Sequence, residues 1–388
     1  MKTKILIFSE YFSPGYKAGG PIRSIINIVE GLKDHSEVYI ITKNRDWSEA
    51  VPYPDIPENE WVLIFENVNA LYLDPKKIIP SVLKKHIEII KPSWIFLNSI
   101  YSPLSRNVFM VLLRNKINYN IAVAVRGELS TKAISIRFFL KVPYLLALRG
   151  SGLTKRIVWL STNLKEYAEI KKVFGKKRQV KVIDNIPRND KVIWNPLNKT
   201  RGNLRLIFLS RIDKMKNLHF LLSILNKLDF GNIILDIYGS VKDKTYLQQC
   251  NLLISKLPSN IKVSVCGSVN SHNVLTVLKK YHFLVQPSLS ENFGHSIFEA
   301  FLCGIPVIIS DRTPWRNLEE KSIGWDLDIF NESQWIHVLN YALNMDDTEY
   351  RSFSKNAIDF SQHYLKNHQS IKEIRKLFLS ETYNVMEV

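Results

Sequence analysis

Glu291 and Glu299 stand eight positions apart in the run ENFGHSIFEAFLCGIP, and Asn292, Phe293, Gly294, His295 and Ser296 follow the first of them directly. Residues 283–287 are apolar and read as the end of a strand, 288–292 as a polar turn, and from Phe293 or Gly294 the pattern is helical through Leu302, where Gly304 and Pro306 stop it. A helix start of this kind suits an anion. Its first backbone N–H groups point outward, a glycine lets a phosphate approach closely, and the helix dipole adds favourable potential. Glu291 precedes the helix while Glu299 lies more than one turn inside it, so at about 1.5 Å of rise per residue the carboxylates are too far apart for an acid/base dyad. Two separated carboxylates suit two hydroxyl-bearing groups with a diphosphate between them. His295 has two readings: an imidazole donating to phosphate or sugar, or a helix-start residue that touches only solvent and neighbours. The Glu-to-Glu spacing carries little alone, since solvated helix faces contain many such pairs.

Other loops offer cations and glycines at strand ends. Residues 206–209 form an apolar run that ends in Ser210 and Arg211, and IDKMKN then places Lys216 on the same loop before the next helix. Fixed cations there would neutralise the charge that a departing diphosphate acquires, although two basic residues on an isolated loop are more often solvated. Gly19 and Gly20 close the loop SPGYKAGGPIRS between the first apolar run and a helix, where phosphate-cradling loops sit. The run is not a complete G-x-G-x-x-G, and a plain turn is the alternative. Arg126-Gly127-Glu128 follows the apolar run 121–125, so Arg126 either meets an anionic group or forms a structural salt bridge with Glu128 or another acid.

The elements that must position these residues alternate along the chain. Residues 5–8 are apolar, residues 22–32 carry Ile22, Ile25, Ile26, Val29 and Leu32 on one helical face, and 38–42 form a second short strand. Runs at 94–97, 121–125, 157–160 and 180–183 alternate with helical stretches, as in a parallel sheet covered on both faces. Residues 187–203 are polar, contain Pro187, Pro196 and Gly202, and read as a linker. Strand candidates then resume at 206–209, 233–238, 262–266, 283–286 and 307–310. The expected fold is α/β, two Rossmann-like doubly wound domains facing each other across a cleft, with ligands at the carboxyl ends of the strands. The expected divisions are 1–187, 188–365 and a C-terminal helical segment 366–388 that packs back toward the first domain; Asp184-Asn185 is a turn before the hinge.

At 388 residues the chain exceeds the usual size of one core. Three widely spaced cysteines, Cys250, Cys266 and Cys303, argue against a disulfide framework or a zinc site. No apolar run approaches the roughly 20 residues of a membrane span, and the N-terminal apolar run is too short for a secretory signal. The expected location is the cytoplasm, with the inner face of the membrane as a surface to touch. The net charge is +17, and most of the excess lies between residues 105 and 181, which hold 17 Lys and Arg against 3 Asp and Glu. That concentration implies an anionic partner. Residues 135–160 interleave basic and aromatic or aliphatic side chains, as does a basic amphipathic helix on an anionic membrane or a core helix with a basic outer face. No helix-turn-helix, zinc-finger spacing or RNA-binding aromatic motif is present, so nucleic acid is not expected as a partner. Asp326 and Asp328 form a short D-x-D of the kind that binds Mn²⁺ or Mg²⁺, a pattern frequent by chance.

The string from Glu291 to Val307, with Phe293, Gly294, Glu299, Ala300, Gly304 and Pro306 in place, resembles the signature of the retaining GT-B glycosyltransferases of family 4. The resemblance implies that Glu291 and the following loop contact a donor sugar, that Glu299 binds ribose, and that Arg211 and Lys216 contact the donor diphosphate. It also implies that the Gly19-Gly20 loop closes over that diphosphate, and it makes Arg126 a departure, since many members carry a histidine there. The implied activity is retaining, metal-independent transfer from a nucleotide-diphosphate sugar to a hydroxyl of a glycan or lipid-linked glycan, in surface polysaccharide, O-antigen or capsule synthesis. The nucleotide sugar is a substrate, and no cofactor is expected. Two competitors remain: a metal-dependent GT-A transferase using Asp326 and Asp328, and a basic membrane- or nucleic-acid-binding module without transfer activity.

Overall fold

The apolar runs become two parallel sheets in the computed structural model, which describes residues 2–115 and 119–380. Residues 116–118 of the basic region and 381–388 of the tail lie outside the described residues. The strands, in chain order, are β1 Thr3–Phe8, β2 Ser36–Lys43, β3 Trp61–Phe65, β4 Val68–Leu73, β5 Trp94–Leu97, β6 Asn120–Ala124, β7 Ile157–Ser161 and β8 Val180–Val182 in the first sheet. The second sheet holds β9 Asn203–Leu209, β10 Asn232–Tyr238, β11 Ile261–Gly267, β12 Phe283–Gln286, β13 Val307–Ser310 and β14 Gly324–Leu327. Described residues of Met1–Ile186 and Gln369–Val388 make one compact unit, and Pro187–His368 make the other.

In the first unit the order is β3-β4-β2-β1-β5-β6-β7-β8, parallel except for the β3–β4 edge hairpin. Burial on both faces explains the unbroken apolar runs. Along β1, Leu6 and Phe8 enter one core with Leu97, Val123 and Trp159, while Ile5 and Ile7 enter the opposite core with Ile25, Val29 and Phe96. The helix Ser370–Leu379 completes that second core through Ile374, Leu377 and Phe378, and Arg375 Nε donates to Gly31 O at 2.8 Å. Phe378 meets Trp94 edge-on with ring centroids 5.3 Å apart.

The second unit is parallel throughout, in the order β11-β10-β9-β12-β13-β14. Leu206 and Phe208 of β9 face one core, and Ile207 and Leu209 the other, where Ile297, Phe298, Ala300 and Phe301 of the helix His295–Leu302 pack. Both sheets share one topological property. The chain runs outward to one side of the first strand and returns on its other side, so β1 and β5 flank a switch point in one unit and β9 and β12 in the other. Ligands in open α/β sheets bind at the carboxyl ends of strands at such points.

The structure adds to or differs from the sequence reading at three places. Residues 135–160 are not one basic helix: Arg137 adopts a left-handed backbone before the helix Phe138–Gly150, a 3₁₀ turn follows at Leu153–Lys155, and Ile157 onward is core strand. The hairpin β3–β4 adds two strands to those expected: Trp61–Phe65 is an unbroken apolar run, yet it forms a partly exposed edge strand, and Asn69 interrupts the run of β4. Asp326 lies in β14, where it accepts from Leu318 N at 2.9 Å and pairs with Arg316 at 2.9 Å, while Asp328 accepts from Phe330 N at 3.0 Å. The D-x-D carboxylates therefore brace their own turn.

Phe378→Ala removes a nearly solvent-free ring from the first unit's core and is expected to destabilise that unit by about 3–5 kcal/mol, read by urea unfolding. An unchanged midpoint would contradict the docking of the last helix.

Candidate active site

Loops leaving the two strands at the second unit's switch point build one charged cluster. After β9, Asp213 Oδ1 accepts from Met215 N at 3.0 Å and Lys216 N at 3.3 Å, which curls the loop and turns Lys216 inward. After β12, Leu289 N donates to Met215 O at 2.8 Å, tying the second loop to the first. Lys216 and Glu291 then form a close ion pair between the loops. Arg211, at the end of β9, sits 3.8 Å from Asp213 with its guanidinium more than one-third exposed.

Gln286, the last residue of β12, is solvent-free and fixes Glu291. Its Nε2 donates to Glu291 Oε2 at 3.1 Å and to Ser288 Oγ at 3.0 Å, and its Oε1 accepts from Ser296 Oγ at 3.0 Å. Glu291 also accepts from Asn292 N at 3.2 Å. Burial alone would raise the Glu291 carboxyl's pKa, but the Lys216 ammonium, His295 and the Asn292 N–H together hold it below the usual carboxylate range. An ammonium has three donors, so the Glu291 contact leaves Lys216 able to meet a second anion.

The helix His295–Leu302 starts at Gly294, whose backbone is left-handed (φ +78) and which offers no capping side chain. A Cβ there would lie 2.7 Å from Ile297 Cδ1 and 3.3 Å from Glu291 Cγ, so glycine is required for both conformation and space. The Phe293 ring is buried against Trp315, with centroids 5.3 Å apart, and Phe298, and its carbonyl accepts from Trp315 Nε1. His295 lies against the Phe293 ring at 4.9 Å.

Glu299 has a different cation. Arg188 Nη1 is 3.6 Å from Glu299 Oε1, and both side chains are nearly buried. The rest of that guanidinium grips Asp190 through two hydrogen bonds, 2.5 and 2.9 Å long, and donates to Ser271 O at 2.9 Å. The two glutamates thus belong to two separate charge pairs. Sequence reasoning missed Arg188 and Gln286; the usable signals were a polar residue closing an apolar strand and an arginine at the start of the linker.

The first unit has its own cluster at its strand ends. Arg126 follows β6 with a left-handed backbone (φ +49), and its Nε donates to Asn98 Oδ1 and its Nη1 to Asn185 Oδ1, each at 2.8 Å. Burial lowers its pKa to about 10 against the opposing influence of Glu166 and Glu128, so the guanidinium stays charged at neutral pH. Glu128 is taken up elsewhere, by Ser99 Oγ at 2.8 Å and Ile100 N at 2.7 Å, and the Arg126–Glu128 bridge considered from sequence does not form. A pocket beside Arg126 is lined by Ser24, Ser161, Thr162, Asp184 and Asn185. Asn185 also accepts from Ser24 Oγ at 3.1 Å, so the turn read as structural joins Arg126 to the helix Gly20–Leu32. Gly19 N-caps that helix with φ +72, no side chain caps it, and a Cβ on Gly19 would meet nothing within 4 Å. Asp46 holds the preceding loop by accepting from Tyr16 N at 2.8 Å and Lys17 N at 3.0 Å. Among the described residues no group of three or more His, Cys, Asp or Glu is placed to hold a metal ion.

The family model for glycosyl transferases group 1 matches residues 166–360, half of the chain, and spans every second-unit residue described above. The chain belongs to the group 1 glycosyl transferases. It is 21% identical over 224 residues to the phosphatidylinositol N-acetylglucosaminyltransferase gpi3 subunit of Schizosaccharomyces pombe, covering 57% of this chain and 45% of that protein. The chain therefore spans less than half the length of that relative. Solved structures agree over nearly the whole chain: sucrose-phosphate synthase from Thermosynechococcus elongatus (TM-score 0.73, 15% identity, 97% of this chain and 98% of that one) and Anabaena HepE in complex with UDP-glucose (TM-score 0.67, 14%, 97% and 98%). A third is WaaG, a glycosyltransferase involved in lipopolysaccharide biosynthesis (TM-score 0.63, 12%, 97% and 100%). At these identities the likeness is one of fold, and that fold is GT-B, with two Rossmann-like domains.

The Lys216–Glu291 pair gives a pH signature. A carboxyl with a depressed folded pKa contributes stability above its unfolded pKa and loses that contribution as pH falls through the folded value. Lys216→Met is expected to cost about 3–5 kcal/mol near neutrality, and the deficit relative to wild type should shrink on acidification as Glu291 protonates. Thermal unfolding across pH checks this; a pH-independent deficit would contradict the pairing.

Proposed function

We propose that the chain is a retaining, metal-independent glycosyltransferase of family 4 that moves a sugar from a nucleotide-diphosphate sugar to a hydroxyl of a glycan or lipid-linked glycan. The observation that carries the reading is the second unit's switch-point cluster: Arg211, Lys216 and the helix start at Gly294 supply positive potential, with Glu291 and Glu299 on separate charge pairs nearby. A nucleoside diphosphate gains negative charge as the bond from its β-phosphate oxygen to the sugar's anomeric carbon breaks. Cations and a helix N-terminus fixed before the reaction stabilise that charge without reorganising. The acceptor oxygen forms the new bond to the anomeric carbon, and its proton passes to the departing phosphate oxygen, so no protein base is required. Glu291 holds donor-sugar hydroxyls, with Asn292, His295 and Ser296 beside it, and Glu299 holds the ribose.

Arg126, in the first unit, is assigned to an anionic group of the substrates. Its guanidinium is charged, half-buried and held by two neutral asparagines, and a cation partly withdrawn from water without a carboxylate partner gains from an anion. Gly19 and Gly20 open a second uncapped helix start in the same unit. Synthesis of a surface polysaccharide or lipopolysaccharide is the role proposed, supported by the fold shared with WaaG.

The test is a nucleotide-sugar panel read by thermal stabilisation, since a ligand of the folded state raises its midpoint by mass action. One donor should stabilise the wild type, Glu299→Ala should weaken that donor at least tenfold, and turnover with it should persist in EDTA and give a product of unchanged anomeric configuration. Unchanged donor affinity in Glu299→Ala would overturn the ribose assignment, and loss of turnover in EDTA would favour a metal-dependent mechanism.

A further inference from the structure

The helix Phe138–Gly150 is amphipathic in the wrong sense for a protein surrounded only by water. Leu145 and Leu148 enter the first unit's core, and Tyr144 donates from its hydroxyl to Ile100 O at 2.9 Å, fixing which face is inward. The opposite face, at helical spacing, carries Phe139, Pro143, Leu146, Ala147 and Gly150, all exposed and none polar. Phe139 is 87% exposed and Leu146 61%, and Leu140 and Ile136 on the same segment are 70% and 62% exposed. Phe139's ring contact is with its neighbour Phe138, at 5.9 Å. An ordinary surface helix solvates its outer face with charged side chains. Here the helix's cations are drawn off that face: Lys141 Nζ donates to Ala133 O at 2.6 Å and lies over the Tyr101 ring, and Arg149 Nη1 donates to Val173 O at 3.2 Å.

Charge around the apolar stripe is of one sign. From Leu129 to Lys165 the sequence contains no Asp or Glu and seven Lys or Arg, and Arg137 and Lys155, before and after the helix, are exposed cations. An exposed apolar helix face on a stretch of chain that carries cations and no carboxylates matches an anionic lipid interface, where aromatic and aliphatic side chains pass below the headgroups and Lys and Arg meet phosphate. Among the described residues no helix is long and apolar enough to cross a membrane.

We infer that the segment 136–150 is a docking surface for anionic phospholipid, on which the first unit rests through Ile136, Phe138, Phe139, Leu140 and Leu146, with Arg137 and Lys155 at the headgroups. The inference does not rest on the transferase reading. Its readout is lipid binding, so either can fail without the other.

The experiment is co-sedimentation of the full chain with vesicles of phosphatidylglycerol and phosphatidylcholine, and with phosphatidylcholine alone, at two salt concentrations. Binding is expected to the anionic vesicles, to fall at least tenfold on pure phosphatidylcholine, and to weaken with salt. Phe139→Glu/Leu146→Glu should lose at least tenfold in binding with an unchanged thermal midpoint, because both side chains face solvent. Arg137→Gln/Lys155→Gln should weaken the anionic preference alone. Wild-type binding that ignores lipid charge, or survives Phe139→Glu/Leu146→Glu, would overturn the proposal. So would failure to bind vesicles together with a dimer in light scattering that the same double variant dissociates, an outcome that would assign the face to a second copy of the chain.

Discussion

The ion pair between Lys216 and Glu291 is the constraint around which the second unit's site is arranged. It joins the loops that leave β9 and β12, the two strands flanking the switch point, and so ties the two loops together at the carboxyl ends of those strands. The surrounding structure carries its cost. Asp213 curls one loop, Gln286 braces the carboxylate from the strand end, and Gly294 admits the close approach of Glu291 to the helix start. Burying two charges is unfavourable unless their remaining donors and acceptors are satisfied. Gln286 and the Asn292 N–H supply that satisfaction for the carboxylate, while the ammonium keeps capacity for a phosphate.

Glu299 follows the same logic with different parts. Its partner Arg188 sits in the polar segment after the first unit and is itself anchored by Asp190 and by Ser271 O. Each glutamate is therefore oriented by a cation of its own. In the first unit Arg126 shows the complementary arrangement, a half-buried cation hydrogen-bonded to the neutral side chains of Asn98 and Asn185.

Much of this was legible in the sequence because parallel strands buried on both faces must be continuous apolar runs. Residues 94–97, 283–286 and 307–310 coincide with β5, β12 and β13 for that reason. The loops after such strands are then the places to look for chemistry, and Arg211, Lys216 and Glu291 were found there. What escaped depended on tertiary contact. The β3 strand is apolar in sequence but half exposed at the sheet edge, so its apolar run does not mark core. Gln286 looked like the last residue of a strand, and its importance lies in reaching Ser288, Glu291 and Ser296 at once. Arg188 lay in a segment with no periodicity, and only the fold brings it to Glu299. The basic stretch after residue 135 was visible as charge, but the apolar outward face of its helix depends on knowing which side Leu145 and Leu148 bury.

The most direct measurement is a double-mutant cycle on Lys216→Met and Glu291→Gln, read as dissociation constants for the nucleotide sugar that stabilises the wild type. If the two side chains act as one preorganised unit, the cycle shows a coupling of about 1–3 kcal/mol, with the double variant little worse than either single one. Strictly additive losses would contradict the account, because they would mean that each residue meets the ligand independently of the other.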